Sequence, residues 1–212
     1  MSVSPNKVSL PVIRRLPKYY RYIREMQQNG VAKISSSELA KIMGTTASQV
    51  RQDFNCFGGF GQQGIGYNID VLYNEISKLL FSEDNKIEVI LIGVGSLGQT
   101  ISKWIIHETR GYHLAAAFDS NPQLIGKDVC GAPIHNIREL SEYCKKNKPT
   151  MAVLCIPKEP ARTLAPTLVS LGIKGFWNFS HYDLSVNNPD ITVENVHLGD
   201  SLMTLGYRLR NE

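Results

Sequence analysis

Two hexapeptides in this chain have the residues to cradle a pyrophosphate. Gly59-Phe60-Gly61-Gln62-Gln63-Gly64 and Gly93-Val94-Gly95-Ser96-Leu97-Gly98 both satisfy G-x-G-x-x-G. The chemistry needs more than glycines. The loop must leave a buried strand and open a helix, so that unpaired N–H groups and the positive helix end meet the phosphates. At 93–98 the flanks are KIEVILI before and SLGQTISKWIIHE after, which read as strand, turn and helix. Gly93 permits a tight turn, Gly95 lets backbone approach phosphate, and Gly98 lets the helix pack close to the strand. Val94, Ser96 and Leu97 supply the intervening N–H groups. Asp119 then ends a second apolar run, AAAFD, where a carboxylate would bond an adenosine ribose and repel a 2′-phosphate. Strand, glycines, helix and acid together point to NAD⁺ or NADH. The competing reading is a related domain for another nucleotide or for coenzyme A, which Asp119 disfavours.

The flanks at 59–64 are wrong for that role. A polar helix, QVRQDFN, leads in and an alternating stretch from Ile65 leads out. A glycine-punctuated hairpin after a helix reads instead as a wing, with Phe60, Gly61 and Gln63 as its contact residues. Its glycines let backbone approach another surface closely.

The elements before it say which surface. Residues 1–66 carry nine Lys and Arg against three Asp and Glu, so they sum to +6, while the whole chain is +4 and the remainder −2. A basic third on a slightly acidic remainder suits one part that meets a polyanion and one that does not. Ile13, Leu16, Tyr20, Ile23 and Met26 recur at helical spacing, with Gly30 as a stop. Ser35-Ser36-Ser37-Glu38 is a capping box, and Thr46-Ala47-Ser48-Gln49 has the same form. Two short helices, each with its own start signal and joined through Gly44-Thr45, make a helix-turn-helix. The second, about 46–54, would enter a major groove with Ser48, Gln49, Arg51 and Gln52 exposed. An ordinary helical hairpin inside a bundle is the plainer alternative.

A helix at 72–80 and a polar connector at 82–85 close this region. Strand and helix then alternate: strands at 87–92, 114–118, 151–156, 175–179 and 191–196, helices at 97–107, 137–146 and 161–171. Near-continuous apolar strands alternating with helices predict a doubly wound parallel sheet. Leu198, Leu202, Leu205 and Leu209 form one apolar stripe on a terminal helix too short to stand alone, so it must dock on its own domain or swap onto a second subunit. The expected fold is α/β: a winged-helix domain at 1–83, a Rossmann-like NAD(H)-binding domain at 84–196, and a C-terminal swapped dimerisation helix at 197–212.

No apolar run approaches the roughly 20 residues of a membrane span, and residues 1–15 lack a signal-peptide core, so a cytoplasmic protein is expected. Cys56, Cys130, Cys144 and Cys155 have no C-x-x-C spacing, which argues against structural disulfides. His107, His113 and His135 are scattered without ligand spacing, so no metal is expected. His181 and His197 are the candidate proton donors of a competing reading, an NAD-dependent dehydrogenase with an N-terminal helical appendage. After the sheet only one helix remains to build a substrate site. No catalytic residue is therefore assigned.

The series Ala47-Ser48-Gln49-Val50-Arg51 with Asp53, Phe57-Gly58, Phe60-Gly61 and Gly64-x-Gly66-Tyr67 resembles the redox-sensing transcriptional repressor Rex family. So do residues 93–98, Asp119, Ile156-Pro157 with Glu159, residues 172–175, Asn178-Phe179 and Asp200. The resemblance covers essentially the whole chain. It implies a homodimer that binds double-stranded operator DNA when free or with NAD⁺ and is released by NADH. It implies that Arg51 and its neighbours read the major groove while the wing enters a minor groove, with Arg15 and Arg21 as basic residues of the first helix. Trp104 falls at an aromatic position near the nicotinamide, Pro157, Asn178 and Phe179 fall in the cofactor site, and Asp200 would exchange partners between two states. Gln52 and Gln62-Gln63 depart from the family's cations, which lowers the expected phosphate affinity and leaves the operator sequence open. Ser201 stands where a relative has an aromatic residue.

Overall fold

A computed structural model describes residues 8–57, 66–81, 86–108 and 110–211. They divide into two compact units, Met1–Ser82 and Glu83–Glu212. In the first, helix α1 (Leu10–Gln28) lays Val12, Leu16, Tyr19 and Ile23 inward at three- and four-residue steps. Strand β1 (Lys33–Ile34) follows. Helix α2 (Ser36–Met43) begins at a complete capping box: the Ser35 hydroxyl accepts from the Glu38 N–H, and the Ser35 N–H donates to the Glu38 carboxylate. Helix α3 (Ala47–Asn55) opens with only half of that device. The Thr46 hydroxyl accepts from the Gln49 N–H. The Gln49 side chain does not return the bond, because Asp53 one turn later takes it.

Strand β2 (Tyr67–Asn68) pairs antiparallel with β1, and Asn68 caps helix α4 (Ile69–Leu80). One core joins these pieces, with Tyr19, Ile23, Leu39, Val50, Phe54, Ile69, Leu72 and Ile76 all but sealed from water. Burying each large aliphatic among them contributes about 2 kcal/mol. This holds the α2–α3 pair against the short sheet, the winged-helix arrangement. The wing residues Phe60, Gly61 and Gln63 lie outside the described residues.

The second unit is a seven-stranded sheet flanked by helices. Its elements in chain order are β3 (Ile87–Ile92), α5 (Ser96–Glu108), β4 (Tyr112–Asp119), β5 (Asp128–Val129), β6 (Ala132–Asn136), α6 (Leu140–Asn147), β7 (Met151–Leu154), α7 (Lys158–Ser170), β8 (Gly175–Asn178), β9 (Thr192–Asn195) and α8 (Leu198–Asn211). The strand order is β5-β6-β4-β3-β7-β8-β9, parallel except for the β5–β6 hairpin at one edge. Reading from β6, this is the order 3-2-1-4-5-6 of the dinucleotide-binding fold, with the switch point between β3 and β7. Alternation along β3 feeds two cores. Val89 and Leu91 pack with Ile105, Leu114 and Val153 on one face, Ile90 and Ile92 with Phe118, Leu154 and Leu168 on the other.

The sequence reading did not anticipate β5 and β6. Ala-Pro-Ile-His-Asn is short and only half apolar, and its strand character comes from pairing with β4 at Ala117–Ile134 and Phe118–His135. The stretch expected as one helix over 137–146 starts as a single 3-10 turn, Ile137–Glu139, before α6 begins.

Candidate nucleic-acid and dinucleotide sites

The first turn of α3 leaves its polar side chains over a buried acid. Asp53 is fully buried, and its carboxylate accepts four hydrogen bonds. Arg15 supplies two in a fork, Nε to Oδ2 at 2.6 Å and Nη2 to Oδ1 at 2.7 Å. The Tyr19 hydroxyl gives a third at 3.0 Å, and Gln49 Nε2 a fourth at 2.8 Å. Burial pushes the Asp53 carboxyl up, but the donors from Arg15, Gln49 and Tyr19 outweigh it and hold it below the usual carboxylate range. Burial, then the bond to Asp53, pushes the Tyr19 phenol well above its ordinary range.

This placement bears on two of the residues expected at the DNA. Arg15, expected as a DNA contact, has two of its three guanidinium nitrogens on Asp53 and clamps α1 to α3. Gln49 is half-buried, anchored at one end instead of freely exposed. Ser48, Arg51 and Gln52 are exposed as expected, and Arg51 Nη1 donates to the Ser36 hydroxyl at 3.1 Å. Arg21 is exposed, its guanidinium 5.3 Å above the Tyr22 ring. Sequence reasoning missed Tyr19 as a partner in the cluster. Its spacing of one helical turn from Arg15 was the available signal.

In the second unit the glycine loop sits at the switch point. Gly93 has φ 92°, and a Cβ there would meet the Cys155 carbonyl oxygen at 2.6 Å, so the loops after β3 and β7 touch only because the side chain is missing. A Cβ on Gly98 would collide with the Gly93 carbonyl oxygen, which is why α5 can start so close to β3. At Gly95 there is open space, and the backbone faces it at the N-terminus of α5. Asp119 ends β4 and reaches back to the loop: Oδ2 accepts from the Val94 N–H at 2.7 Å, Oδ1 from the Asn121 N–H at 2.8 Å. A carboxylate has about four acceptor positions, so half of them remain. Ser96 and Leu97 are exposed in the first turn of α5. Pro157 caps α7 in the loop after β7.

Asn178, expected in the cofactor site, bonds to its neighbours in the chain and to β9. It is fully buried at the end of β8, with Nδ2 donating to the Tyr182 carbonyl and Asn195 Oδ1, and Oδ1 accepting from the Ser180 N–H and hydroxyl. All four hydrogen-bonding positions of its side chain are used within its own unit. The Phe179 ring next to it packs at a tilt on Trp177 with centres 4.9 Å apart, and Trp177 meets Trp104 of α5 at 5.6 Å. Trp104 is half exposed at the end of this aromatic row. Trp177 is its unforeseen member.

Asp200 lies in the first turn of α8, 3.5 Å from His197 Nδ1. The His181 and His197 rings lie at a tilt with centres 5.3 Å apart, one in the loop after β8 and the other in the link between β9 and α8. Among the described residues no group of three or more His, Cys, Asp or Glu side chains could hold a metal ion. No described helix is long and apolar enough to cross a membrane.

A winged helix carrying a basic first helix, together with a Rossmann sheet whose glycine loop and Asp119 suit a dinucleotide, defines a class: ligand-responsive DNA-binding regulators. Residues 7–55 match a family described as "Putative DNA-binding protein N-terminus", and residues 84–182 match one described as "CoA binding domain". The redox-sensing transcriptional repressor Rex of Thermoanaerobacter pseudethanolicus is 48% identical over 97% of this chain and 91% of its own. That of Caldicellulosiruptor saccharolyticus is 47% identical over 97% and 93%. The crystal structure of RSP with beta-NADH superposes at TM-score 0.86, with 44% identity over 97% of this chain and 96% of that one. RSP with beta-NAD⁺ and operator DNA also gives 0.86, with 47% identity over 96% and 93%. This chain belongs to the redox-sensing transcriptional repressor Rex family.

Proposed function

We propose that this protein is a transcriptional repressor that binds operator DNA as a homodimer and responds to the NADH/NAD⁺ ratio, NADH releasing it. The observation that carries this is the relation, at 44–47% identity over nearly the full chain, to one repressor solved both with beta-NADH and with beta-NAD⁺ on operator DNA. The geometry agrees with each half of that statement. Exposed Ser48, Arg51 and Gln52 on a capped recognition helix suit a major groove, and a basic N-terminal region suits the phosphates around it. The wing, with Phe60, Gly61 and Gln63, would enter the minor groove.

On the other side, the open backbone at Gly95, the free N–H groups of the first turn of α5 and the remaining acceptor positions of Asp119 fit a pyrophosphate and a ribose. Phe179 and Trp104 lie on the aromatic row that would face the nicotinamide half. NAD⁺ and NADH share every contact outside the nicotinamide, so discrimination arises at that ring. By linkage, a ligand that weakens DNA binding by a given factor is itself weakened by DNA to the same degree, typically 1–3 kcal/mol. The chain is read as a regulator and not as a dehydrogenase, since its curated relatives are named repressors.

Helix α8 supports the dimer. Leu198, Leu202, Leu205 and Leu209 are 66%, 70%, 52% and 71% exposed within the single chain. A fourteen-residue helix with an uncovered stripe is marginal in water. Docked on a second subunit it would fix two recognition helices at one spacing, with Asp200 and Arg21 as the polar residues whose partners change between states.

The test is binding of labelled DNA from upstream of the protein's own gene, at fixed salt, with NADH or NAD⁺ added. Tight binding that NADH abolishes and NAD⁺ spares is the expected result. Binding indifferent to both nucleotides would overturn the sensing half of the proposal.

A further inference from the structure

The anchoring of Gln49 has a consequence for sequence readout. The ionised Asp53 carboxylate only accepts hydrogen bonds, so the end of the Gln49 amide that faces it at 2.8 Å must be the nitrogen. This fixes the amide's orientation. Its Oε1 points away from Asp53, and among the described residues no group donates to it. Gln49 stands at the third position of α3, in the turn that meets base edges in a helix-turn-helix. The other bonds to Asp53, from Arg15 and Tyr19, hold the carboxylate in place from α1.

A glutamine amide has two N–H donors and one carbonyl acceptor. With one N–H spent on Asp53, Gln49 keeps one donor and one acceptor for DNA. Adenine presents the complementary pair in the major groove, the N7 acceptor and the N6 amine donor. Guanine presents two acceptors, N7 and O6, and would need both N–H groups. We infer that Gln49 reads one adenine in each half-site and rejects guanine there, because Asp53 has taken its second donor. The inference rests on the repressor reading above and assigns within it the side chain that selects a base. Asp53 acts as a positioning residue.

The experiment starts from full-length protein and a random-sequence duplex pool, from which the bound sequences are selected. Each adenine of the selected half-site is then replaced in turn by 7-deaza-adenine, which lacks the N7 acceptor, by purine, which lacks the N6 amine, and by guanine. At one adenine per half-site each replacement should weaken binding roughly 10- to 100-fold, the span of a good bidentate contact. Gln49→Met, which also takes one donor from the buried Asp53 carboxylate and so should melt at a lower temperature, should bind all four duplexes alike when assayed well below that temperature. Rejection of guanine is the readout of the anchoring, since an unanchored amide could turn both N–H groups to N7 and O6. Guanine tolerated at the position where the two analogues cost affinity would overturn the role of Asp53. Wild-type protein insensitive to both analogues at every adenine, or Gln49→Met with the wild-type profile, would overturn the inference and leave the repressor reading standing. A selection that enriches no sequence would instead sink that reading, and the inference with it.

Discussion

Asp53 and Asp119 are both acids at the end of an element, both prominent in the sequence, and the structure uses them in opposite ways. Asp53 is sealed from water and saturated by four side-chain donors from two helices. Asp119 sits at the half-exposed mouth of the sheet with two backbone donors, leaving about half its acceptor positions open. What separates an acid committed to structure from one still able to accept a ligand is how many lone pairs the fold leaves unspent. The same count marks Asn178, whose four side-chain positions are all filled.

The contrast breaks most visibly if Asp53 is removed. Asp53→Ala leaves the buried Tyr19 hydroxyl without its acceptor and frees the partly exposed Arg15 guanidinium and the Gln49 amide, and should destabilise the N-terminal domain by about 2 kcal/mol. Urea denaturation followed by near-ultraviolet signals of that domain measures it. A loss under about 1 kcal/mol would show that the cluster is far less consequential than its burial suggests.

Asp119→Ala should do the reverse. Stability should change little, while NADH affinity falls by roughly 10-fold, the worth of a hydrogen bond to a charged group. Calorimetric titration of NADH checks this, and an unchanged affinity would remove Asp119 from the site.

Acid sharpens the comparison further. The folded-state pKa of Asp53 is lowered from its ordinary 3.8, so its contribution is fully present above that value and is lost as pH falls through the folded pKa. The N-terminal domain should therefore lose stability below about pH 4, and Asp53→Asn should flatten that limb of the profile. Urea midpoints taken between pH 3 and pH 6 would show whether the slope belongs to this residue.

The smallest effect belongs to an exposed pair. Lys78 and Glu75 meet at 2.8 Å on α4, yet Lys78→Ala should cost under about 0.5 kcal/mol because water screens both ends. A loss comparable to that of Asp53→Ala would mean that burial does not set the difference.

Much of the site was legible because its causes are local. Ser35 and Glu38 are three residues apart, so the cap that starts α2 could be read directly. The same holds for the glycine loop, where strand, turn and helix follow one another within a dozen residues. Where a competing partner came from farther away, the local reading failed. Thr46 caps α3, but Gln49 does not complete the box because the Asp53 carboxylate offers a charged acceptor that outcompetes the N-cap N–H. β6 carries too little apolar alternation to declare itself, and only its pairing with β4 makes it a strand.

The sequence by itself determined the order of the helices and of the buried strands, the two glycine loops with their different flanks, the basic N-terminal third and the apolar stripe on the last helix. These follow from periodicity, capping and charge, which act over a few residues. Only the tertiary structure decided which polar groups are spent. Arg15 and Tyr19 reach Asp53 across 38 and 34 residues of chain, and Asn178 reaches Asn195 across 17. A hydrogen bond is fixed by distance in space, and burial makes an unpaired donor or acceptor costly enough to choose its partner wherever the chain brings one.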